Sequence, residues 1–265
     1  TYILLGLIIL IFFSFLNQNI LINISLLLFI FSFLTLLLVP VVGVEVKGSK
    51  RWLDLFFFPR FQPIEILKPF FIITMSLILS LKNRKLYLKY ILSTILIFPI
   101  LLLLIYQPDL GQSLLISMVW LALIFVSGIN IFLFFTFFLT IGIIVSYLVI
   151  FVSKFEYIKI RLISFLDSSS GNNYQAEKAS DAIINGGFFG KGIGEGTLNS
   201  RVPEAHTDYI ASVISEEFGA IIVIGIILVY LIFSYKVIQK INLINDNKTK
   251  LILIGCISII LLQTF

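Results

Sequence analysis

The residues of this sequence that could do chemistry are few, and several stand together near position 205. The only histidine, His206, lies between two carboxylates, Glu204 and Asp208. Histidine and carboxylate side chains are the groups that most often move protons in enzymes. The same stretch also resembles a helix start, because Thr207 or Asp208 could cap a helix that follows. On residue types alone, the helix cap is the better explanation.

A second group is rich in glycine and covers residues 186–197. It contains Gly187, Gly190, Lys191 and Gly192. A P-loop would need glycine at position 185 and serine or threonine at position 192, which this sequence lacks. A dinucleotide-binding turn would need a preceding strand, and none is predicted. Both nucleotide-binding interpretations therefore fail. A backbone that approaches another group closely, or a plain flexible linker, remains.

A third group consists of charges beside or inside apolar stretches. Glu65 and Lys68 have i, i+3 spacing, so on a helix they share a face and can pair. Asp109 lies in a Pro- and Gly-containing turn and could cap the next helix. Glu216 and Glu217 are adjacent, so we expect at least one of them to meet polar partners in the bundle. Charges inside a membrane are candidates for function by default. A structural role is nevertheless favoured for Glu216 and Glu217, and both roles remain open for Glu65 and Lys68.

The composition defines the class of protein that must position these residues. The chain has 265 residues, of which 59% are hydrophobic and 12% charged, with a mean hydropathy of +1.10. About a quarter of the residues are charged in a soluble domain, and disorder requires low hydrophobicity. A soluble monomer and a disordered chain are both excluded. One cysteine and one histidine exclude an intrachain disulfide and any metal site built on several of either residue.

Apolar stretches predict an all-α fold, a polytopic membrane bundle of about eight helices in a single domain, 1–265. A spanning helix needs about 20 apolar residues. The candidate stretches are residues 3–16, 20–42, 64–81, 90–106, 110–126, 131–152, 218–235 and 251–262. The first and last are short and abut the ends, so we expect a chain truncated at both ends.

Basic residues predict the orientation. Cytoplasmic loops collect lysine and arginine, and the basic segments 82–89 and 236–250 are separated by four predicted spans. Both therefore lie in the cytoplasm, and segments 45–61, 107–111 and the large loop 153–207 are extracytoplasmic. Within that loop, the residue pattern predicts a surface helix at 155–166, a break at 167–173 and a short helix at 174–184. Topology alone accounts for the basic loops, so a nucleic-acid partner is not indicated.

Six stretches, in order, resemble the signature of the FtsW/RodA/SpoVE (SEDS) family. They are residues 48–53 with 61–65, 107–111, 174–175, 186–196, 203–208 and 216–219. Residues 194–197 and 203–208 are more similar to the cell-division branch than to the elongation branch. Ile64 stands where the family usually has serine, and Tyr209 and Ala211 alter an aromatic run, which affects substrate detail more than the assignment. Family members have about ten spans.

The resemblance implies a peptidoglycan glycosyltransferase in the bacterial cytoplasmic (inner) membrane. Such enzymes polymerise lipid II, the undecaprenyl-diphosphate-linked disaccharide-pentapeptide, at the outer membrane face. The implied partners are lipid II, a class B penicillin-binding protein transpeptidase, other division proteins at the septum, and membrane lipids. Asp208 occupies the position of the essential outer aspartate and is the implied catalytic base. Partial desolvation at a membrane surface would raise its pKa towards neutrality.

The leaving diphosphate requires positive charge. Arg51 is the first candidate, because its guanidinium can hold phosphate oxygens through two bonds. Trp52 could stack on a sugar or guide the lipid, or simply belong to the membrane-interface belt. A divalent cation, Mg²⁺ or Mn²⁺, suits a diphosphate, although no ligand cluster demands one. The other candidate substrate-binding residues are Lys50, Lys191, Arg201, Glu204, His206, Gly187, Gly190 and Gly192.

Two alternatives remain open at this point. A lipid II flippase would use Glu65, Lys68 and Glu216 to line a path through the membrane. A non-catalytic scaffold would only recruit other division proteins. The richest set of polar residues lies in predicted outer loops, and no symmetry between two halves is evident, which favours the polymerase over the transporter.

Overall fold

The computed structural model describes residues 2–46, 49–54, 59–81, 86–151, 159, 174–197 and 209–264. Helices dominate these residues, and one short pair of strands lies between the second and third helices. The elements are α1 (Tyr2–Ser14), α2 (Gln18–Val42), β1 (Val44–Val46), β2 (Ser49–Trp52), α3 (Pro63–Leu79), α4 (Leu86–Tyr106), α5 (Leu110–Val126), α6 (Ile131–Phe151), α7 (Tyr174–Gly186), α8 (Ile210–Phe218), α9 (Ala220–Leu243) and α10 (Asn247–Thr264).

The predicted membrane bundle is confirmed. The eight apolar stretches correspond to α1–α6, α9 and α10. Among the described residues, four helices are long and apolar enough to cross a membrane: Gln18–Val42, Tyr87–Tyr106, Ala220–Leu243 and Asn247–Thr264. The short helix predicted at 174–184 is also confirmed as α7, which ends at Gly186. The predicted surface helix at 155–166 and the break at 167–173 lie outside the described residues, apart from Lys159.

The structure differs from the sequence predictions at three places. An antiparallel hairpin of β1 and β2 pairs Glu45 with Lys50, and it was not predicted. The predicted helix cap at Thr207 or Asp208 is wrong, because α8 begins at Ile210 with Tyr209 as its N-cap. The apolar stretch predicted from 218 is also interrupted: Gly219 has φ 83° and separates α8 from α9. A left-handed residue cannot continue an α-helix.

The chain forms two compact units: unit 1 (Thr1–Phe135 with Ile238–Phe265) and unit 2 (Thr136–Val237). The core of unit 1 consists of apolar side chains from α2, α3, α4 and α5, with α10 packed against α3 and α5. Gly255 permits this packing, because a Cβ there would lie 2.4 Å from Cγ2 of Ile72. Leucine, isoleucine and phenylalanine on the outward faces are exposed, as expected for helices that lipid surrounds.

In unit 2, α7 packs against α8 through small side chains. Ala179 and Ala182 of α7 are buried, as are Ser212 and Ser215 of α8, and Tyr209 and Val213 pack against Ala182. Small residues let two helix backbones approach closely. This close packing fixes the position of the glycine-rich loop, which follows α7, and the position of the first residues of α8.

Candidate functional site

One end of unit 1 carries a cluster of polar side chains, which we call the polar end cluster: Arg51, Gln62, Glu65, Lys68, Asp109 and Gln112. Three local features position it. Strand β2 carries Arg51, Pro63 starts α3 directly after Gln62, and Asp109 is the N-cap of α5. Proline suits the first turn of a helix because its missing N–H would have no partner there.

Asp109 is the centre of this cluster. Its carboxylate accepts a hydrogen bond from Gln62 Nε2 at 2.8 Å and from the Gln112 backbone N–H at 3.5 Å, and Arg51 Nε lies 3.9 Å away. The predicted cap role of Asp109 is therefore confirmed. Burial raises the pKa of Asp109 above its ordinary value, although the Arg51 charge and the bond from Gln112 act in the opposite direction.

Arg51 mainly clamps the turn between α4 and α5. Its Nε donates to the Gln107 carbonyl at 3.3 Å, and its Nη2 donates to the Pro108 carbonyl at 2.5 Å. These bonds use two of the five guanidinium donors, and the side chain is 26% exposed. The remaining donors can still meet a phosphate. The neighbouring Lys50 is exposed and Trp52 is half-buried.

Glu65 and Lys68 form the predicted pair. Lys68 Nζ lies 2.6 Å from Glu65 Oε2, and Lys68 is 3% exposed. The other oxygen, Glu65 Oε1, accepts from Gln112 Nε2 at 2.6 Å. Gln112 thus connects the Glu65–Lys68 pair of α3 to Asp109 at the start of α5. A buried ammonium is costly without a counterion, and Glu65 supplies that counterion.

In unit 2, the carboxylate of Glu216 joins both ends of the glycine-rich loop. Glu216 is fully buried, and its Oε1 accepts from Asn185 Nδ2 at 2.9 Å and from the Thr197 backbone N–H at 3.0 Å. This confirms that one of the two adjacent glutamates meets polar partners. Glu217 is half-buried and contributes its backbone carbonyl, which accepts from Gly192 N–H at 3.0 Å.

Backbone hydrogen bonds fix the glycine-rich loop to α8 and to the start of α9, so it is not a plain flexible linker. The Glu216 carbonyl accepts from Lys191 N–H at 3.0 Å, and Gly187 and Phe188 carbonyls accept from the start of α9. Gly190 has φ 78°, and a Cβ there would lie 2.2 Å from the Glu217 carbonyl oxygen. The fold itself therefore requires glycine at 190. Gly187 is exposed with open space around its Cβ position, and Gly192 faces the Glu195 side chain.

The loop presents one cation among apolar side chains. Lys191 is exposed, and its Nζ donates to Asn185 Oδ1 at 2.5 Å. Phe188, Phe189 and Ile193 are 56%, 78% and 78% exposed. Apolar side chains around a positive charge are suited to the boundary between lipid and water, where the charge meets headgroups.

The remaining predicted site residues, Arg201, Glu204, His206 and Asp208, lie outside the described residues. Asp208 directly precedes Tyr209, the N-cap of α8. Among the described residues, no group of three or more His, Cys, Asp or Glu side chains could hold a metal ion. The divalent cation thus stays a prediction.

Sequence reasoning assigned no role to several amide and hydroxyl side chains that organise the two sites: Gln62, Gln107, Gln112, Asn185 and Thr197. One signal was available. In a chain this apolar, a polar amide can be drawn into the packed bundle, and a buried amide requires hydrogen-bond partners. Most of the partners were not predictable, because they are 12 to 71 residues away along the chain; only Lys191, the partner of Asn185, is as near as six residues.

The chain matches a family model over all of residues 1–265; the model, FtsW/RodA/SpoVE, is described as "Cell cycle protein". A protein of Caulobacter vibrioides is 30% identical over 209 residues, which is 78% of this chain and 52% of that protein. A protein of Buchnera aphidicola subsp. Baizongia pistaciae is 34% identical over 224 residues, 81% and 57% of the two chains. Each is named "Probable peptidoglycan glycosyltransferase FtsW". This chain spans about half the length of these curated relatives.

Two solved structures share the fold. One, described as "Structural coordination of polymerization and crosslinking by a peptidoglycan synthase complex", has a TM-score of 0.78 at 24% identity, covering 98% of this chain and 73% of that one. The rod shape determining protein RodA of Thermus thermophilus has a TM-score of 0.67 at 24% identity, covering 98% and 70%.

Proposed function

This chain belongs to the FtsW/RodA/SpoVE family, and we propose that it acts as a peptidoglycan glycosyltransferase that polymerises lipid II into glycan strands. The observation that carries the proposal is the family match over all 265 residues. The names of the similar proteins from Caulobacter and Buchnera support the same activity. The site geometry adds an exposed, oriented cation and a fixed helix start beside the proposed base.

In the proposed reaction, a sugar hydroxyl of one substrate attacks the anomeric carbon of the other. A carbon–oxygen bond forms there, and the bond from that carbon to the diphosphate oxygen breaks. The hydroxyl proton passes to the Asp208 carboxylate, and undecaprenyl diphosphate leaves with the bonding electron pair. General base catalysis of this kind contributes about 10²–10⁴-fold to the rate.

The Glu216 contacts support the proposed place of Asp208. Glu216 lies in α8, eight residues after Asp208, and holds Thr197, which precedes the segment containing Arg201, Glu204 and His206. Thr197 and Tyr209, the described residues on either side of that segment, are therefore both held by α8. A base must lie within hydrogen-bond distance of the proton it takes, so fixed ends favour catalysis.

Among the described residues, three cations are candidates for the leaving diphosphate, one in unit 2 and two in unit 1. In unit 2, which also contains Asp208, Lys191 projects from the glycine-rich loop and is oriented by Asn185. In unit 1, Lys50 is exposed on β2, and Arg51 has the guanidinium donors that the turn carbonyls leave free. Positive charge preorganised near a leaving diphosphate stabilises the charge that develops as the bond breaks.

The proposed setting is the outer face of the cytoplasmic membrane at the division septum, with a class B penicillin-binding protein transpeptidase and other division proteins as partners. A similar solved structure is described as a complex that coordinates polymerization and crosslinking, which supports a transpeptidase partner. The flippase alternative is weakened by Glu216, whose carboxylate holds a loop together.

One assay separates the three functions. The full-length protein, purified with its cognate class B penicillin-binding protein, is given labelled lipid II, and products are separated by size. We expect glycan polymer. Transfer of labelled lipid II across liposomes without polymer would instead establish the flippase. If the protein binds its partner but shows neither polymerisation nor lipid transfer, the non-catalytic scaffold is the function that the assay supports.

A further inference from the structure

The end of unit 1 opposite the polar end cluster contains a cavity of about 360 Å³. The C-terminal ends of α3 and α5 line it, together with the N-terminal parts of α4 and α10. The polar end cluster lies at the other ends of α3 and α5. With 17 residues at 1.5 Å each, α5 separates the two sites by about 25 Å. The cavity is therefore separate from the polar end cluster, and none of the residues proposed for catalysis lines it.

Two lysines supply the charge of this cavity. Lys89 and Lys250 line it, and none of its described lining residues is an aspartate or glutamate. Lys89 Nζ lies 3.4 Å from the Ser127 carbonyl oxygen and 5.0 Å from the Tyr90 ring centre. Neither lysine forms an ion pair within the described ranges. The nearby Asp246 carboxylate is occupied by Thr249, whose hydroxyl donates to it at 2.7 Å.

The rest of the lining combines polar and apolar groups. Asn247 contributes an amide, whereas Leu79, Leu81, Val126 and Leu251 contribute aliphatic side chains. Leu81 and Val126 are each 45% exposed, so the apolar wall continues onto the outer surface of the helices. Two cations that form no ion pair with any residue the structure describes, beside an apolar wall, are complementary to an anionic headgroup attached to a hydrocarbon chain. A volume of this size lies in the range of ligand pockets, about 300–1,000 Å³.

We propose that this cavity binds the phosphate of an anionic phospholipid, with Lys89 and Lys250 as its cationic contacts. In the predicted topology the lipid belongs to the cytoplasmic leaflet. Basic pockets between transmembrane helices on that side are suited to anionic headgroups, and each lysine near the membrane surface contributes about 1 kcal/mol. The acyl chains lie along the exposed aliphatic faces outside the cavity. The site is independent of the proposed glycosyltransferase activity.

The test compares two lipids and two pairs of lysines. The full-length protein in neutral detergent is titrated with short-chain phosphatidylglycerol or phosphatidylcholine, and bound lipid is measured by native mass spectrometry. We expect the double variant Lys89→Gln, Lys250→Gln to bind phosphatidylglycerol about 25-fold more weakly, fivefold for each lysine. The matched control Lys236→Gln, Lys240→Gln removes two exposed lysines of α9 that do not line the cavity. It should change the Kd less than threefold.

The single variant Lys250→Gln keeps the test decisive if the double variant misfolds. It should fold normally, because the Lys250 side chain makes no hydrogen bond among the described residues. It should weaken phosphatidylglycerol binding about fivefold. Equal losses in both double variants would show general surface attraction and overturn the site. Equal binding of the two lipids would also overturn it. If soluble glycerol phosphate competes at the same concentration as the lipid, the ligand is a free phosphate and the assignment to a phospholipid is wrong.

Discussion

Asp109 shows how one buried carboxylate organises a helix end. It caps α5, accepts a hydrogen bond from Gln62 at the start of α3, and faces Arg51 at 3.9 Å. Arg51 in turn holds the carbonyls of the preceding turn. The pKa of Asp109 lies above its ordinary value because burial outweighs the Arg51 charge.

A raised pKa fixes the sign of the pH dependence. Between the ordinary value of 3.8 and the raised value, the folded state binds more protons at Asp109 than the unfolded state. The free energy of unfolding therefore increases as the pH falls through this window. We expect wild type to gain thermal stability relative to Asp109→Asn as the pH is lowered from 7 towards 4, measured in detergent. A relative loss would mean that the Arg51 pair dominates.

Sequence spacing predicted the local contacts of single residues. Glu65 and Lys68 pair as their i, i+3 spacing indicated, and Asp109 caps α5 as its turn indicated. Contacts between distant segments were not predictable. Arg51 was expected to grip the diphosphate, yet two of its donors bond carbonyls 56 and 57 residues away. Such a contact depends on how the hairpin packs, which no local pattern specifies.

Hydrogen bonds connect the glycine-rich loop to α8, so the two form one structural element. Glu216 binds Asn185 at one end of the loop and Thr197 at the other, while its backbone carbonyl accepts from Lys191. A loop tied at both ends can present Lys191 in one position without a large entropy cost on binding. The sequence indicated close backbone approach, and the structure identifies what Gly190 approaches: the carbonyl of Glu217.

A pair of glycines tests the packing of this loop. Gly190 and Gly194 have φ values of 78° and 77°, but only Gly190 lacks space for a Cβ. Gly194→Ala should cost about 1–2 kcal/mol for the left-handed conformation. Gly190→Ala adds overpacking and should cost about 2–5 kcal/mol in total. Thermal unfolding in detergent measures both. Equal costs would show that the loop does not pack on Glu217.

Apolar patterning predicted the helices well and their ends less well. Helix α9 continues to Leu243 and includes Lys236 and Lys240, whereas its apolar stretch ends at 235. Long lysine side chains can extend to water from a helix that continues past the apolar core. The hairpin had a signal in two extended runs separated by Lys47 and Gly48, which is a short-turn pattern. This short pattern is much weaker than the hydrophobic signal of the two flanking spans, so the hairpin was not predicted.

At the scale of the molecule, unit 1 has two chemically different ends. The polar end cluster joins segments 45–61 and 107–111, and the basic cavity joins α4 to α10. This agrees with the predicted alternation, in which both outer segments share one side and both basic segments the other. Which end faces the cytoplasm follows from the positive-inside rule and stays a prediction.

Cysteine labelling tests that orientation. Single cysteines replace Arg60 and Asn245, two exposed residues outside the described helices, in a Cys256→Ser background. In intact spheroplasts, a membrane-impermeant maleimide should label Arg60→Cys at once and Asn245→Cys only after permeabilisation. The reverse pattern would invert the topology and place the polar end cluster in the cytoplasm.

The central claim is that Asp208 takes the proton of the attacking hydroxyl. The most direct measurement is the rate of lipid II polymerisation by the full-length protein with its transpeptidase partner, comparing Asp208→Asn with the control Asp54→Asn. Asp54 is an exposed carboxylate paired with Arg60, in a segment predicted to face outward as well. We predict a loss of at least about 100-fold for Asp208→Asn at unchanged thermal stability, and a change below twofold for Asp54→Asn. Polymerisation by folded Asp208→Asn at the wild-type rate would contradict the account.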